Sequence, residues 1–255
     1  MKKILIRADD LGYSEAVNLG IAKTVEAGLV KSVGIMVNMP TINHGLNLIN
    51  PFDVCLGQHT NICLGPPVLD PKKIPSLCQS NGLFKTSTTY REAVKNGEDF
   101  VVLDEVIMEI EAQYHRFIEL TGMKPDYFEC HAVASKNFFK GLEIVAEKYK
   151  LSHLKMSMDE TPVLFRNTKI YNRVPKDFAK YELNPISIIE ETLATAHDGD
   201  CDMLIFHPGY IDAYLLKHSN MIKIRAFEAE MLSQPQTKTW IEAQNVTLVS
   251  YNDLK

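Results

Sequence analysis

The sequence contains no long apolar run, no large excess of one charge and no paired cysteine motif. No stretch approaches the roughly 20 apolar residues that a membrane-spanning helix needs, and the apolar run near Met1 is too short for the core of a signal peptide. The formal net charge of -5 gives no general attraction for nucleic acid or for an anionic membrane. These absences predict a cytoplasmic protein that binds neither nucleic acid nor membranes.

Cysteine is present but does not form a recognisable framework. The 5 cysteines are odd in number, and no two of them are separated by two residues, so neither a zinc knuckle nor a set of disulfides is expected. Reduced, buried thiols fit this pattern better. The chain has 255 residues, of which 45% are hydrophobic and 23% charged. A chain of this size and composition can bury a large core without disulfide bonds or structural metal ions. We therefore expect one folded domain over residues 1–255.

Short apolar runs alternate with helical patterns along the whole chain. The predicted strands cover residues 3–9, 32–39, 53–62, 127–133, 153–158, 202–207 and 246–251. Apolar residues between them follow helical spacing, and one such helix is predicted to begin after Ser14 and to end near Gly28. A second is predicted to carry Leu103 and to end near Gly122. Regular alternation of strands and helices predicts an α/β protein with a parallel sheet.

The number of strand and helix units decides between two α/β architectures. Seven or eight units in this length fit a single-domain, TIM-like (β/α) barrel, seven-stranded or irregular in form, which is the fold that we predict; an open, doubly wound sheet is the alternative. Two segments interrupt the alternation, namely residues 65–97 and residues 159–184. Long irregular loops in a compact α/β domain are usually functional, so we expect these segments to form lids or walls of a site.

Side chains that bind metals or move protons lie at the ends of four of the predicted strands. They are Asp9 and Asp10 at the end of the first strand, His59 near the end of the third, His131 near the end of the fourth, and His207 at the end of the strand at residues 202–207. In parallel α/β folds the carboxyl ends of the strands meet at one rim. We therefore expect these groups to lie close together.

Each of these residues also has an ordinary structural interpretation. The aspartates could cap the next helix, although Ser14 is better placed for that role. A single buried histidine is more often hydrogen-bonded in a core than bound to a metal. His207 with Pro208 and Gly209 could form a tight turn. The coincidence of four strand ends, and not any single residue, therefore carries the functional prediction.

A carboxylate and two imidazoles bind a divalent cation and leave positions for water and substrate. A bound cation makes water more acidic, and a second carboxylate and a further histidine supply the base and the acid that hydrolysis needs. These residue types therefore predict metal-dependent hydrolysis. Zinc, magnesium and manganese all suit such ligands, so the metal stays open.

Four motifs resemble those of the YdjC-like carbohydrate deacetylases, the family that includes chitooligosaccharide deacetylase. Residues 8–12 are ADDLG, residues 57–62 are GQHTNI, residues 207–212 are HPGYID and residues 225–228 are RAFE. The resemblance covers nearly the whole chain. It implies a TIM-like barrel that removes N-acetyl groups from amino-sugars or short oligosaccharides and releases acetate.

The resemblance also implies a role for each matching residue. These are the metal ligands Asp10, His59 and His131, the general base Asp9, the general acid His207, and the substrate contacts Asp212, Tyr210 and Arg225. Asp212 would also help to orient His207. The cofactor would be a divalent cation, magnesium or zinc, and the partner a small carbohydrate.

One stretch departs from the family pattern. After the fourth strand the family has the run S-H-x-H-V-H, whereas this chain has Cys130 and His131 and then places Val133 and Ser135 where the other two histidines stand. Because His131 is retained, we expect metal binding to survive. The replacement of the other two histidines is expected to affect contacts with the substrate on that side of the site.

Two other functions stay open. Because a fold does not fix a function, another metal-dependent barrel hydrolase or an isomerase is one alternative. A catalytically lapsed sugar-binding homologue is the other, and the changes at Val133 and Ser135 favour it. Tyr13, Tyr90 and Tyr171 could stack on sugar faces as Tyr210 could. The oligomeric state, including a homo-oligomer, also stays open.

Overall fold

The computed structural model describes residues 2–155 and 161–255, and strands alternate with helices in both ranges. The strands are β1 (Lys2–Leu11), β2 (Ser32–Ile35), β3 (Cys55–Thr60), β4 (Tyr127–Cys130), β5 (Val163–Phe165), β6 (Thr168–Arg173), β7 (Cys201–Phe206) and β8 (Val246–Val249). The helices are α1 (Glu15–Glu26), α2 (Ile42–Ile49), α3 (Ser87–Lys95), α4 (Leu103–Thr121), α5 (Lys136–Tyr149), α6 (Phe178–Leu183), α7 (Ile186–Thr195), α8 (Ala213–His218), α9 (Lys223–Ser233) and α10 (Pro235–Glu242). The predicted α/β class is confirmed.

The described chain divides into two compact units. The first consists of the described residues within 1–35, 40–56 and 155–255, and the second consists of residues 36–39 and 57–154. The first unit therefore contains both ends of the chain, and β3 begins in the first unit and continues into the second. The single domain over residues 1–255 stays a prediction.

The strand β1 is central to the sheet of the first unit. It pairs in parallel with β2, β7 and β8, while β6 pairs in parallel with β7 and forms a short antiparallel hairpin with β5. The side chains of Ile4, Leu5 and Ile6 are all buried, which is typical of a strand that is covered on both faces. This order confirms a mostly parallel sheet, and its closure into a TIM-like barrel stays a prediction.

The second unit contains the parallel pair of β3 and β4. Gly57 in β3 lies against the ring of Tyr127 in β4, where an added Cβ atom would overlap the ring, so no larger residue fits there. Helix α5 packs on β4 and on α4. Buried apolar side chains, including Val106, Ile110 and Phe138, form the core of this unit.

Several helix ends lie where the sequence signals place them. Ser14 Oγ accepts a hydrogen bond of 3.3 Å from the amide of Val17 at the start of α1. Gly28 has a φ of 81° just after that helix, and Gly122 ends α4 with a φ of 73°. Both glycines adopt the left-handed conformation that other residues avoid. The predictions at Ser14, Gly28 and Gly122 are confirmed.

The predicted irregularity of residues 159–184 is wrong for most of the described part of that segment. From residue 161 onward it contains β5, β6 and α6. The hairpin turns at Arg166, which has a φ of 53°. Strands of 3 and 6 residues and a helix of 6 are too short for a clear periodic signal. Residues 65–97 are irregular apart from α3 and one short 3-10 turn, so the prediction is confirmed there in part.

Two predicted strands end at least three residues earlier in the structure than in the prediction. The strand predicted at residues 32–39 stops at Ile35, and the one predicted at residues 127–133 stops at Cys130. His153 makes a single parallel bridge to Phe128, and residues 156–158 of that predicted strand lie outside the described residues. The chain therefore leaves β4 immediately before His131.

The cysteines and the helices bear on two expectations drawn from what the sequence lacks. All five cysteines are buried, as predicted. Among the residues that the structure describes, no helix combines the length and the apolar character needed to cross a membrane.

Candidate functional site

The second unit brings two of the predicted metal ligands together. His59 lies near the end of β3, and His131 follows β4 directly. The distance from His59 Nε2 to His131 Nδ1 is 2.9 Å, and the two rings stand nearly perpendicular at 77°. Both residues are buried, with 3% and 8% of their surface exposed. The parallel register of β3 and β4 is the local cause, because it aligns the ends of the two strands.

A neighbouring carboxylate orients one of these rings. Glu129 lies opposite His59 in the register of β3 and β4, and its Oε1 is 2.5 Å from His59 Nδ1. When His59 donates its Nδ1 proton to this carboxylate, the lone pair of Nε2 faces His131. Histidines that bind metals almost always have such a second partner, which fixes the tautomer and the ring orientation.

The donor set of the second unit fits a divalent cation. Metal–nitrogen bonds to histidine are about 2.0–2.1 Å long, so two nitrogens on adjacent corners of one coordination sphere are about 3 Å apart. The separation of 2.9 Å between His59 Nε2 and His131 Nδ1 agrees with that value. Glu129 adds a buried negative charge next to the pair. His59 and His131 each belong to a group of carboxylate and histidine side chains that could hold a metal ion.

The backbone turns sharply after His131. Ala132 has a φ of 54°, and the amide of Val133 donates a hydrogen bond of 2.7 Å to the carbonyl of His131. Val133 is buried in the apolar core of the unit. Ser135 caps α5 by accepting a bond of 3.0 Å from Phe138 N. The two positions that depart from the family pattern therefore serve packing and capping in this chain.

In the first unit, Asp9 forms a buried ion pair with Arg7. The distance from Arg7 Nη2 to Asp9 Oδ2 is 2.6 Å, and neither side chain is accessible to an appreciable extent. Arg7 Nη1 also donates a bond of 3.1 Å to the hydroxyl of Tyr251. The carboxylate of Asp9 is thus held on one oxygen by a guanidinium that is itself fixed. The sequence analysis did not identify Arg7, although the spacing of two residues in a strand places it on the same face as Asp9.

Asp10 has a different cationic partner and an unusual backbone. Its φ is 78°, and the register of β1 with β2 shifts between Ala8 and Leu11. Its carboxylate is fully buried and accepts a bond of 2.7 Å from Arg225 Nη2. The separate roles of the two aspartates stay a prediction. A left-handed non-glycine residue is strained, and such strain concentrates at functional sites.

Arg225 lies on α9 and is buried. Besides its bond to Asp10, it donates from Nε to the carbonyl of Met221 at 3.1 Å and stands 5.1 Å from the centre of the Tyr13 ring. Burial, followed by the charge of Asp10, raises the pKa of Tyr13 well above its usual value. The predicted contact of Arg225 with substrate stays a prediction, and its observed contacts favour a role in holding Asp10.

His207 follows β7 in the first unit, and its backbone is held by α9. Its amide donates a hydrogen bond of 2.6 Å to Glu228 Oε2, while Glu228 Oε1 accepts a short bond from the hydroxyl of Tyr181. Burial raises the pKa of Glu228 to about 7. Glu228 stands in the fourth motif but was not assigned a role from the sequence.

The remaining predicted substrate contacts lie in the loop after β7. Asp212 caps α8 by accepting a bond of 2.8 Å from Leu215 N, while Tyr210 is 43% exposed. Of the other tyrosines considered, Tyr90 is buried and donates to the carbonyl of Ile62, so it packs in the core. The substrate roles of Asp212 and Tyr210 stay predictions.

Comparison with known proteins agrees with this arrangement of motifs. The family described as YdjC-like protein matches residues 3–243. Carbohydrate deacetylase 2 of Listeria innocua is 29% identical and is aligned over 99% of this chain and 98% of its own length. Carbohydrate deacetylase of Thermoanaerobacter pseudethanolicus is 25% identical, with 100% of both chains covered.

A solved structure has a similar fold. A protein from Enterococcus faecalis V583, named for cellobiose-phosphate cleavage, has a TM-score of 0.81 to this chain at 24% identity. The likeness covers 99% of this chain and 98% of that one. At this identity it concerns the fold alone. The match over residues 3–243 shows that the chain belongs to the YdjC-like protein family.

Proposed function

We propose that this chain is a metal-dependent carbohydrate deacetylase that removes N-acetyl groups from amino-sugars or short, chitooligosaccharide-type oligosaccharides and releases acetate. The observation that carries the proposal is the pair of buried imidazoles in the second unit, with nitrogens 2.9 Å apart and a carboxylate behind one of them. The names of the full-length relatives support the choice of carbohydrate deacetylation.

In this proposal Asp10, His59 and His131 hold a divalent cation, magnesium or zinc. The carboxylate and the two imidazoles are ligand types that both metals accept. When bound, the cation acidifies water and polarises the acetyl carbonyl. Arg225 and Glu129 support this role, because each fixes one proposed ligand by a short hydrogen bond.

Asp9 is the proposed general base, and it takes the proton from the attacking water. Its Oδ2 is held by Arg7, which fixes the direction of the carboxylate. A base held in this way contributes a factor on the order of 10²–10⁴ to the rate.

His207 is the proposed general acid, and its imidazole gives a proton to the amine nitrogen as the C–N bond breaks. Its backbone is fixed by Glu228, and its side chain is half-buried. An amine leaves poorly without that proton, and an imidazole is a common proton donor in catalysis, so a histidine suits the step. Tyr210, exposed in the same loop, is the proposed contact for a sugar ring, together with Asp212.

Acetate release is the test of the proposed function. The protein, loaded in turn with magnesium and with zinc, is incubated with N-acetylglucosamine, its disaccharide and longer oligomers, and with phosphoesters as the matched alternative. We expect acetate from at least one N-acetylated substrate and no phosphate. Phosphate without acetate would indicate another metal hydrolase, and sugar binding without acetate would indicate a lapsed homologue.

A further inference from the structure

The buried carboxylate of Glu228 connects the loop after β7 to α6. Glu228 is 0% exposed. One oxygen accepts from His207 N at 2.6 Å, and the other accepts from the hydroxyl of Tyr181. The first contact reaches the backbone of a residue that stands in the third motif. The second reaches a helix in the segment 159–184, which the sequence analysis singled out as a wall of the site.

A carboxylate in this position is unfavourable for the stability of the fold. Both of its oxygens accept hydrogen bonds, yet each of these donors is neutral, so neither supplies an opposite charge. Burial of an acid without a direct cationic partner disfavours the ionised form, and the pKa of Glu228 is raised accordingly. An apolar side chain would avoid the cost of a buried charge but would leave the amide of His207 and the hydroxyl of Tyr181 without this acceptor. The buried acid therefore calls for a specific reason.

Two backbone amides in the loop after β7 donate hydrogen bonds to α9. Glu228 accepts from the amide of His207, and the carbonyl of Arg225 accepts a bond of 3.1 Å from the amide of Gly209. Gly209 in turn lies against Gly20 of α1, so closely that a Cβ atom on Gly20 would overlap its Cα. The backbone on both sides of Pro208 is thus fixed. The direction in which the side chain of His207 leaves the chain depends on these bonds.

We propose that Glu228, held in place by the hydroxyl of Tyr181, is a positioning residue for His207. It acts through the amide of His207 and does not touch the substrate. The proposal rests on the proposed function, because the imidazole of His207 is the acid in that reaction. A misplacement of about 1 Å at a reacting group can lower a rate on the order of 10²-fold, so a single backbone bond is sufficient for such an effect.

Three substitutions separate positioning from simple support of the fold. Glu228→Leu keeps the volume but removes both acceptors, and we expect kcat to fall on the order of 10²-fold with little change in KM. Glu228→Gln keeps an acceptor for His207 N, because the hydroxyl of Tyr181 can reverse and accept from the amide. We therefore expect it to restore most of that loss. We expect the kcat of Tyr181→Phe to lie between those of Glu228→Leu and Glu228→Gln.

The matched control is Glu230→Gln, which removes the same charge from an exposed position on α9. All rates are referred to folded, metal-loaded protein, and metal content is measured for each variant. A merely structural role would reduce the yield of folded protein and leave kcat unchanged. Equal kcat for wild type and Glu228→Leu, or equal losses for Glu228→Leu and Glu228→Gln, would overturn the proposal.

Hydrogen exchange at the amide of His207 gives a readout that does not depend on activity. We expect Glu228→Leu to speed exchange at this amide at least about tenfold, and Glu228→Gln to leave it protected. Unchanged exchange in Glu228→Leu would overturn the positioning role. If wild type releases no acetate, the proposed function fails, while the exchange result still decides whether Glu228 fixes His207. Should Glu228→Leu not fold, Tyr181→Phe provides the same two measurements with a smaller change.

Discussion

The two units arrange their charged groups in opposite ways. In the second unit the buried partner of a histidine is a carboxylate, Glu129, which adds negative charge. In the first unit the carboxylates of Asp9 and Asp10 each face a buried guanidinium. The second unit is thus suited to attract a cation, whereas the first restrains its own acids. We therefore expect cation affinity to depend mainly on the second unit and proton transfer to depend mainly on the first.

The largest expected effect comes from the second unit. His131→Ala removes a proposed ligand nitrogen, so we expect cation affinity to fall more than about 100-fold and acetate release to stop. Elemental analysis after dialysis measures the cation content. His115→Ala on the exposed side of α4 is the matched control. Full cation content in His131→Ala would remove this residue from the ligand set.

The second largest expected effect is a loss of turnover caused by a change in the first unit. Asp9→Asn keeps the size of the side chain but cannot accept a proton from water, so we expect turnover to fall on the order of 10²–10⁴-fold. Cation content should stay at the wild-type level. Steady-state acetate release with elemental analysis of the same sample checks both statements. Turnover near the wild-type rate would end the role of Asp9 as base.

A smaller loss of cation affinity is expected when the carboxylate that contacts His59 Nδ1 is changed. Glu129→Gln removes the negative charge while keeping an acceptor for Nδ1, and loss of such an outer partner typically lowers metal affinity about 10–100-fold. Cation titration by calorimetry measures it. Unchanged affinity would mean that the charge of Glu129 does not assist binding.

The corresponding change in the first unit should be weaker. Arg225→Gln replaces the guanidinium beside Asp10 by a neutral amide, and we expect cation affinity to change by no more than about tenfold. The change in cation affinity is small because two effects oppose each other. Without the positive charge of Arg225, Asp10 attracts the cation more strongly, but its carboxylate is also held less firmly and so binds the cation less well. The same titration applies. A loss larger than that of Glu129→Gln would reverse the comparison between the units.

The smallest effect concerns stability and pH. Glu228 has a folded pKa of about 7, above its ordinary value of 4.5, so the folded state binds this proton more tightly than the unfolded state does. Its contribution is therefore complete below that ordinary value and is lost as the pH rises to about 7. We expect Glu228→Gln to gain stability relative to wild type across that window, by at most about 3 kcal/mol. Urea unfolding at several pH values measures it, and parallel curves for the two proteins would contradict it.

The sequence alone predicted the parts of this molecule that depend on local signals. Ser14 and Gly122 were identified because caps act within one turn of a helix. His59 and His131 were placed near strand ends because the apolar runs give way to polar residues there, although the predicted ends at residues 62 and 133 lie beyond the observed ends at Thr60 and Cys130. The same local signals could not predict β5 and β6, which are short and depend on their neighbours.

Partners that are distant in the sequence could not be predicted. Arg7 and Tyr251 are separated by 244 positions, and only the folded chain brings them together. Glu129 was visible beside His131, but its role depends on the register that places it opposite His59. The left-handed backbone of Asp10 likewise depends on the irregular pairing of β1.

Asp10, His59 and His131 are proposed to share one divalent cation. Anomalous diffraction from crystals of the protein loaded with zinc or manganese tests this proposal most directly. We expect one strong peak within bonding distance of Asp10 Oδ1 or Oδ2, His59 Nε2 and His131 Nδ1. A peak bound by the histidines without Asp10, or no peak at these residues in fully loaded protein, would contradict it.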